Sequence, residues 1–215
     1  MIIDPRQCWS TPTDFFSVLN HEFNFQLDAA ATVENAKCPK FISPETNALK
    51  VPWIGKKISH CEQLENRIDI TSLSSNSEIS RVYVNPGFSD LGPWMKKAWE
   101  EAQNHPNGIV AVMSLISCST DWWKRYVDCV EDTRETHKAK FIRLIGGKRI
   151  QFEPAPGIEE TSNSRENCLV IFMNEDQTMF KNPFIHTWDW TETEAYARYG
   201  NTGRESTSVA QAIQA

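Results

Sequence analysis

The most distinctive polar residues of the chain follow an apolar, strand-like run. The run "RVYV" (residues 81–84) is followed directly by Asn85, Pro86, Gly87 and Phe88. The side-chain oxygen of Asn85 and the carbonyl oxygen of Pro86 are two neighbouring acceptors, which suit an exocyclic amine with its two N–H donors. Phe88 offers a flat face on which a heterocycle can stack. The pattern indicates presentation of an amino nitrogen to an electrophile, although ordinary turns with proline and glycine at the corners have the same residues.

A second group of candidate site residues follows the stretch "FNFQL". Here a predicted strand ends at Asp28, and Ala29 and Ala30 come next. Small residues after a strand let a ligand approach the backbone, and a carboxylate can accept a hydrogen bond from an ammonium or hydroxyl group. In open α/β sheets, ligands bind beyond the carboxyl ends of the strands. The alternative is that Asp28 only caps a following helix, which we predict in "TVENAKC".

Helices and strands alternate along the rest of the chain and would position these residues. Helices are predicted in "STPTDFFSVLNHEF", "LGPWMKKAWEEAQNH" and "STDWWKRYVDCVED". Strands are predicted in "RVYV", "GIVAVMSLI", "AKFIRLI", "KRIQF" and "CLVIFM". This alternation predicts an α/β fold with a mainly parallel central sheet. Because little helix separates the last strands, we also expect an antiparallel edge.

Length and composition are those of one globular domain. The 215 residues are enough for a single core, and we predict one domain over residues 1–185. The polar, serine-rich region 55–80 is predicted to be an irregular insert, and residues 186–215 a polar, partly flexible extension. No apolar run reaches the ~20 residues that span a bilayer, and "MIIDPRQCWS" has no secretory features. Scattered cysteines without a C-x-x-C pair are typical of reduced thiols, so we expect a cytoplasmic protein without membrane segments.

Charge gives a mixed indication about nucleic acid. The net charge of −6 argues against it, because phosphate contacts need lysine and arginine. One segment, "HKAKFIRLIGGKRIQF", nevertheless has five basic residues and no acidic one; they are Lys138, Lys140, Arg143, Lys148 and Arg149. The segment is either part of a DNA-facing surface or the solvated outer face of ordinary strands. The histidines are isolated or lack ligand spacing, so no metal is expected.

Several segments, taken in order, resemble the phage-type (Dam-like) DNA N6-adenine methyltransferases. They are "CWSTPTDFFSVLNHEFNFQLDAAATVENAKCPKFISPETNAL", "VYVNPGFSDLGPWMKKA", "IVAVMSLISCSTDWW", "FIRLIGGKRIQF" and "NCLVIFM". The similarity runs from about Trp9 to Met173 and is poor over 55–80. It implies a Rossmann-like class I methyltransferase fold, S-adenosylmethionine as methyl donor, and adenine in double-stranded DNA as acceptor. It also implies a phage- or prophage-encoded protein that acts in the cytoplasm of a bacterial host.

The resemblance also assigns roles to individual residues. It implies that Asn85 and the carbonyl of Pro86 hold the target N6, and that Phe88 stacks on the flipped adenine. The residues that it implies for the donor site are Trp9, Thr11, Pro12, Asp28, Ala29 and Ala30, with Glu45 and Asn47 as candidates for the ribose or adenine of the donor.

Gly87 departs from the family pattern, which has a second proline at this position. Glycine removes rigidity from a loop that must be preorganised, but both acceptors remain, and we favour an active DNA methyltransferase. One alternative is a methyltransferase-like domain with weak or lost activity that binds DNA or a protein. Another is an N-methyltransferase that acts on RNA or on protein glutamine.

Overall fold

The computed structural model describes residues 9–55, 62–63, 78–128, 139–154, 157–159, 165–174 and 183–200. The strands are β1 (Leu27–Asp28), β2 (Lys40–Phe41), β3 (Glu62–Gln63), β4 (Arg81–Val84), β5 (Ile109–Leu115), β6 (Phe141–Gly146), β7 (Asn167–Met173) and β8 (Phe184–Asp189). The α-helices are α1 (Thr13–Phe23), α2 (Gly92–Gln103), α3 (Asp121–Tyr126) and α4 (Glu194–Tyr199). Short 3-10 helices occupy Ala48–Lys50 and Trp190–Glu192.

The strands form one sheet in the order β3-β2-β1-β4-β5-β7-β6-β8. The pairs β2–β1, β1–β4, β4–β5 and β6–β8 are parallel. Strand β7 is antiparallel to both of its neighbours, and the outermost strand β3 is antiparallel to β2. The predicted mainly parallel α/β sheet with an antiparallel portion is therefore confirmed. The carboxyl ends of β1, β2, β4, β5 and β6 all lie at one edge of the sheet.

Helices cover both faces of the sheet, and alternation along β4 shows how. Val82 and Val84 lie in a core that also contains Met95 of α2 and Trp123 of α3. Tyr83, between them, points to the opposite face and packs in a second core with residues of α1 and α4. Because successive strand residues point to opposite faces, a strand covered on both sides is apolar throughout. We call the side of Val82 and Val84 the α2 face and the side of Tyr83 the α1 face.

The prediction of a helix in "TVENAKC" is wrong. Residues 33–35 form a turn, and β2 follows at Lys40. The carboxylate of Asp28 accepts hydrogen bonds from the backbone N–H groups of Ala30 (3.3 Å) and Lys37 (3.1 Å), which draws the chain back onto the end of β1. The side chain of Asn35 accepts from the backbone N–H of Thr32 (2.7 Å). These side-chain hydrogen bonds hold the segment in a turn and not in a helix.

The strand predicted in "KRIQF" is also wrong, since residues 148–152 have no regular secondary structure. The β6–β8 ladder ends at the pair Gly146–Asp189. Gly147 then has a φ of 66°, and a Cβ atom there would lie 2.1 Å from the carboxylate of Asp189. The left-handed glycine turns the chain out of the sheet at this point.

Residues beyond 185 are part of the sheet and of the core on the α1 face. The predicted boundary at residue 185 falls inside β8, and residues 190–199 form a 3-10 helix and α4. Trp190 is buried, and its indole N–H donates to the carbonyl of Lys148 (2.7 Å). Residues 201–215, the last part of the predicted extension, lie outside the described residues.

Candidate active site

The tetrapeptide Asn85–Phe88 begins directly beyond the carboxyl end of β4. Asn85, Pro86 and Gly87 have no regular structure, and Phe88 begins a turn that leads into α2. Pro86 is buried, whereas Asn85 and Phe88 are half-buried. The positive φ angles of the described glycines belong to Gly55, Gly147 and Gly157, so Gly87 does not need a left-handed conformation. The tetrapeptide therefore lies at the edge where ligands of open α/β sheets bind.

The amide of Asn85 has a defined orientation. Its Nδ2 donates a hydrogen bond to the carbonyl oxygen of Trp9 (2.9 Å). A carbonyl can only accept, so the amide nitrogen must face Trp9 and Oδ1 must face away from it. Among the described residues, no hydrogen bond ends on Asn85 Oδ1 or on the carbonyl of Pro86. Within the described residues these two acceptors are therefore not engaged.

The segment Trp9–Pro12 packs against the same strand end. The hydroxyl of Thr11 lies 2.7 Å from the phenolic oxygen of Tyr83, and both residues are buried. Burial raises the pKa of Tyr83 well above its ordinary value, so the phenol stays neutral. Pro12 precedes α1, where proline is tolerated because its fixed φ suits the start of a helix. The N-terminal segment is thereby joined to β4 by both Trp9 and Thr11.

Asp28 lies one strand away, in register with Tyr83. Its side chain is 3% exposed, and it already accepts from the N–H groups of Ala30 and Lys37. Burial raises the pKa of Asp28 to about 6, while these hydrogen bonds and the charge of Lys37 oppose that shift. The carboxylate therefore shapes the loop after β1, and the described residues make no further hydrogen bond to it.

The other predicted donor-site residues occupy different environments. Ala29 is fully buried in the core on the α2 face, and Ala30 is partly buried against the same core. Glu45 is exposed in the turn after β2. Asn47 has a φ of 57° and precedes the 3-10 helix Ala48–Lys50. Ala30 and Glu45 thus border the sheet edge, whereas Ala29 is a core residue.

Ser43 is a residue of this edge that the sequence analysis missed. It lies two residues beyond β2, beside the loop that follows β1, and Ile42 donates to the carbonyl of Asp28 (2.9 Å). Ser43 is 6% exposed, yet its hydroxyl has no hydrogen-bond partner in the described part of the chain. A buried hydroxyl without a partner is costly, and a polar ligand would relieve that cost. No sequence pattern distinguishes this serine from the others in the chain.

The predicted basic residues do not share one surface. Lys140 lies just before β6 and Lys148 just beyond Gly146, so the two are at opposite edges, about 20 Å apart along the strand. Arg143 is engaged on the α1 face, where it pairs with Glu22 (2.5 and 2.7 Å) and packs on Phe23.

Only two of the basic residues that the structure describes extend beyond the carboxyl end of β6. Lys148 lies 5.8 Å from the ring of Trp190, and Arg149 pairs with Glu166 at the surface (2.5 Å). Lys138 is outside the described residues.

The residues that the structure describes contain neither a metal-binding cluster nor a membrane-spanning helix. No group of three or more histidine, cysteine, aspartate or glutamate side chains among them is arranged to bind a metal ion. None of the described helices is long and apolar enough to cross a membrane. In the part of the chain that the structure describes, Cys38, Cys118 and Cys168 form no disulfide.

Comparison with known proteins gives consistent matches. The profile of the DNA N-6-adenine-methyltransferase (Dam) family matches residues 3–193. The DNA N-6-adenine-methyltransferase of Haemophilus phage HP1 (strain HP1c1) is 26% identical over 170 residues, which cover 78% of this chain and 79% of that protein. The DNA N-6-adenine-methyltransferase of Escherichia phage T1 is 31% identical over 119 residues, which cover 55% of this chain and 40% of that protein.

The class of protein follows from the sheet and this match together. A mainly parallel sheet with antiparallel β7, covered by helices on both faces, is a Rossmann-like methyltransferase fold. The profile extends over most of the described elements, from before Trp9 to beyond β8. The chain belongs to the DNA N-6-adenine-methyltransferase (Dam) family.

Proposed function

We propose that this protein transfers a methyl group from S-adenosylmethionine to the N6 amine of adenine in double-stranded DNA. The observation that carries the proposal is the orientation of Asn85. Because Nδ2 is held by the carbonyl of Trp9, Oδ1 and the nearby carbonyl of Pro86 are left as acceptors for one amine. The relatives from phages HP1 and T1 support adenine as the acceptor and a phage or prophage origin. We propose in addition that the protein acts in the cytoplasm of a bacterial host.

The two acceptors would make the amine a better nucleophile. The lone pair of adenine N6 is delocalised into the ring, and hydrogen bonds from both N–H groups to Asn85 and Pro86 favour a more tetrahedral nitrogen. S-adenosylmethionine, when bound, supplies a methyl group on a positively charged sulfur, which keeps the electron pair of the broken C–S bond. The amine gains the new N–C bond and then loses one proton to water. Catalysis on this scheme is positioning and electrostatics.

The residues near Asp28 fit a donor with ammonium and hydroxyl groups. The hydroxyl of Ser43 is buried and has no hydrogen-bond partner among the described residues, and the Asp28 carboxylate lies at the neighbouring strand end. Ala30 adds little bulk beside it. These residues would bind the polar groups of S-adenosylmethionine, and Thr11, bonded to Tyr83, would close the side toward α1.

An adenine in a duplex cannot reach this edge unless it leaves the stack. We propose that the base is flipped out at a cost of a few kcal/mol and stacks on Phe88. Stacking on an aromatic ring is worth about 1–3 kcal/mol per base, which offsets part of that cost. Lys148 and Arg149, beyond the carboxyl end of β6, would contact phosphates on the same side of the molecule.

The test is methyl transfer from a tritiated donor to unmethylated DNA, with RNA and lysate protein as alternative acceptors. We expect the parent to label DNA. The rate of labelling with Asn85→Ala should be at least about 100-fold lower, since loss of one preorganised polar contact commonly has an effect of that size. Donor affinity, measured by calorimetry, should be unchanged.

Asn85→Asp is a matched variant, because it keeps an acceptor but puts a carboxylate oxygen against the carbonyl of Trp9. We expect activity between that of the parent and that of Asn85→Ala. Label in RNA or protein would favour the alternative acceptors, and a parent inert on all three would favour a binding module.

A further inference from the structure

The ring of Phe88 is in contact with a second aromatic ring from a distant part of the chain. Phe152 lies edge-to-face with Phe88, with ring centroids 5.9 Å apart and an interplanar angle of 83°. Phe152 is 7% exposed and packs in the core of the α1 face, whereas Phe88 is only partly buried. Edge-to-face contacts have a preferred geometry, so a buried ring restricts the rotation of a more exposed one.

The segment that carries Phe152 is tied to the segment that orients Asn85. Glu153 and Ser10 exchange two backbone hydrogen bonds of 2.8 and 2.9 Å, which form an isolated antiparallel bridge. Ser10 directly follows Trp9, whose carbonyl holds the amide of Asn85. The Ser10–Glu153 bridge therefore connects the support of Asn85 with the support of Phe88.

The start of the same segment is also fixed. Gly147 packs against Asp189, and the carbonyl of Lys148 accepts from the indole of Trp190. Ile150 is 1% exposed and lies in the same core as Phe152. Residues 147–153 lack regular secondary structure, yet contacts at both ends and in the middle hold them against β8 and the N-terminal segment. A support of this kind is what a preorganised binding ring needs.

We propose that Phe152 is a positioning residue that fixes the ring of Phe88 for capture of the target base. The inference rests on the proposed function and names a residue that acts through another, without contact to the reacting amine. It predicts that loss of Phe152 weakens use of DNA and leaves the donor site intact. It also predicts that Phe152 has no effect once the ring of Phe88 is gone.

A double-mutant cycle on methyl transfer tests this dependence. Phe152→Leu should raise KM for unmethylated DNA by about 2- to 10-fold, in the range expected for loss of one aromatic pair. Donor affinity by calorimetry should stay within about 2-fold of the parent, and Phe152→Tyr should restore KM. Phe88→Ala alone and Phe88→Ala with Phe152→Leu should have the same KM, because interacting residues are not additive.

Phe15→Leu is the matched control. Phe15 is a buried aromatic of the same core, but its ring contacts are to Trp188 and Trp190. The fold-change in KM of the double variant Phe15→Leu with Phe88→Ala should equal the product of the two single fold-changes, as for independent sites. Thermal unfolding of every variant separates folding losses from positioning, and Phe152→Met replaces Phe152→Leu if the latter does not fold.

Multiplicative effects of Phe152→Leu and Phe88→Ala in an active parent would overturn the positioning role and leave the proposed function standing. An unchanged KM in Phe152→Leu would do the same. A parent that transfers no methyl group to DNA would overturn the proposed function and this inference together.

Discussion

At the scale of single residues, Asp28 combines full burial with a charge. Burial disfavours the ionised form. A rise in pKa from 3.8 to about 6 corresponds to a free-energy difference of about 3 kcal/mol between the two protonation states. The folded state holds the proton more tightly than the unfolded state does. Stability should therefore fall as pH rises from about 4 to 6 and be constant above that range, as far as this group is concerned.

The same titration predicts a pH dependence of donor binding. If the Asp28 carboxylate accepts from the donor, protonation removes that acceptor, so affinity should fall as pH drops below about 6. Asp28→Asn has no charge to lose, and its affinity should be weaker than the parent's and nearly constant from pH 5 to pH 7.5. Calorimetry with S-adenosylmethionine over this range is the measurement. Identical profiles for parent and variant would exclude Asp28 from the donor site.

Gly87 gives a third prediction at this scale. The residue has no positive φ, and proline requires a φ near −65°. A proline at this position therefore fits if the φ of Gly87 is near that value. Proline lowers the entropy of the unfolded and unordered loop, and such replacements stabilise by about 0.4–1 kcal/mol. We expect Gly87→Pro to keep or raise kcat in the tritium assay. An inert parent that becomes active with Gly87→Pro would show that the natural chain is a binding module.

At the scale of elements, helix α2 carries a buried carboxylate that orders a neighbouring loop. Glu101 is 2% exposed and accepts from the backbone N–H groups of Trp53 (2.9 Å) and Ile54 (3.0 Å), and Lys97 one turn earlier pairs with it (2.5 Å). Trp53 in turn fills the core on the α2 face, with its indole donating to Ala48 (2.8 Å). One side chain of α2 thus holds the loop that follows β2.

Glu101→Ala should therefore destabilise strongly. It leaves two buried N–H groups and the charge of Lys97 unsatisfied, and removal of one partner from a buried pair costs about 3–5 kcal/mol. Glu100→Ala is the control on the same helix. Its side chain is 43% exposed and pairs with Lys96 at the surface, and such pairs are worth up to about 1 kcal/mol. Urea unfolding of both variants checks the difference, and similar losses would contradict the assigned role of Glu101.

At the scale of the whole molecule, the direction of the strands decides which basic residues can face a ligand at the candidate site. Lys148 and Arg149 lie beyond the carboxyl end of β6, on the side of Asn85, whereas Lys140 lies at its amino end. A negative net charge does not prevent local phosphate contacts at one edge.

Replacing Lys148 and Arg149 together by alanine should make the negative slope of log affinity against log salt for duplex DNA less steep by about 2, since each phosphate contact contributes about −0.9. Lys140→Ala should leave the slope at the parent value. Arg143 is unsuitable as a control, because its ion pair with Glu22 and its packing on Phe23 make its loss a stability effect. Equal slopes for all proteins would mean that residues 148–149 face away from DNA.

The sequence by itself determined the features that depend on short-range pattern. Alternating strands and helices predicted the mainly parallel sheet, and the order of "LDAAA" and "NPGF" after apolar runs predicted that Asp28 and Asn85 lie at one edge. These predictions hold because apolar periodicity and the residues that end each strand can be recognised locally, and strands that alternate with helices run parallel.

Only the tertiary structure decided which residues support that edge. Glu100 and Glu101 are neighbours of the same type, yet one is exposed and the other buried, because the loop at Trp53 packs on one side of α2. Phe152, read from sequence as part of a strand, contacts Phe88 because left-handed Gly147 turns its segment out of the sheet toward Ser10. Hydrogen bonds and ring contacts between residues far apart in the chain depend on the relative placement of whole elements, which no local pattern encodes.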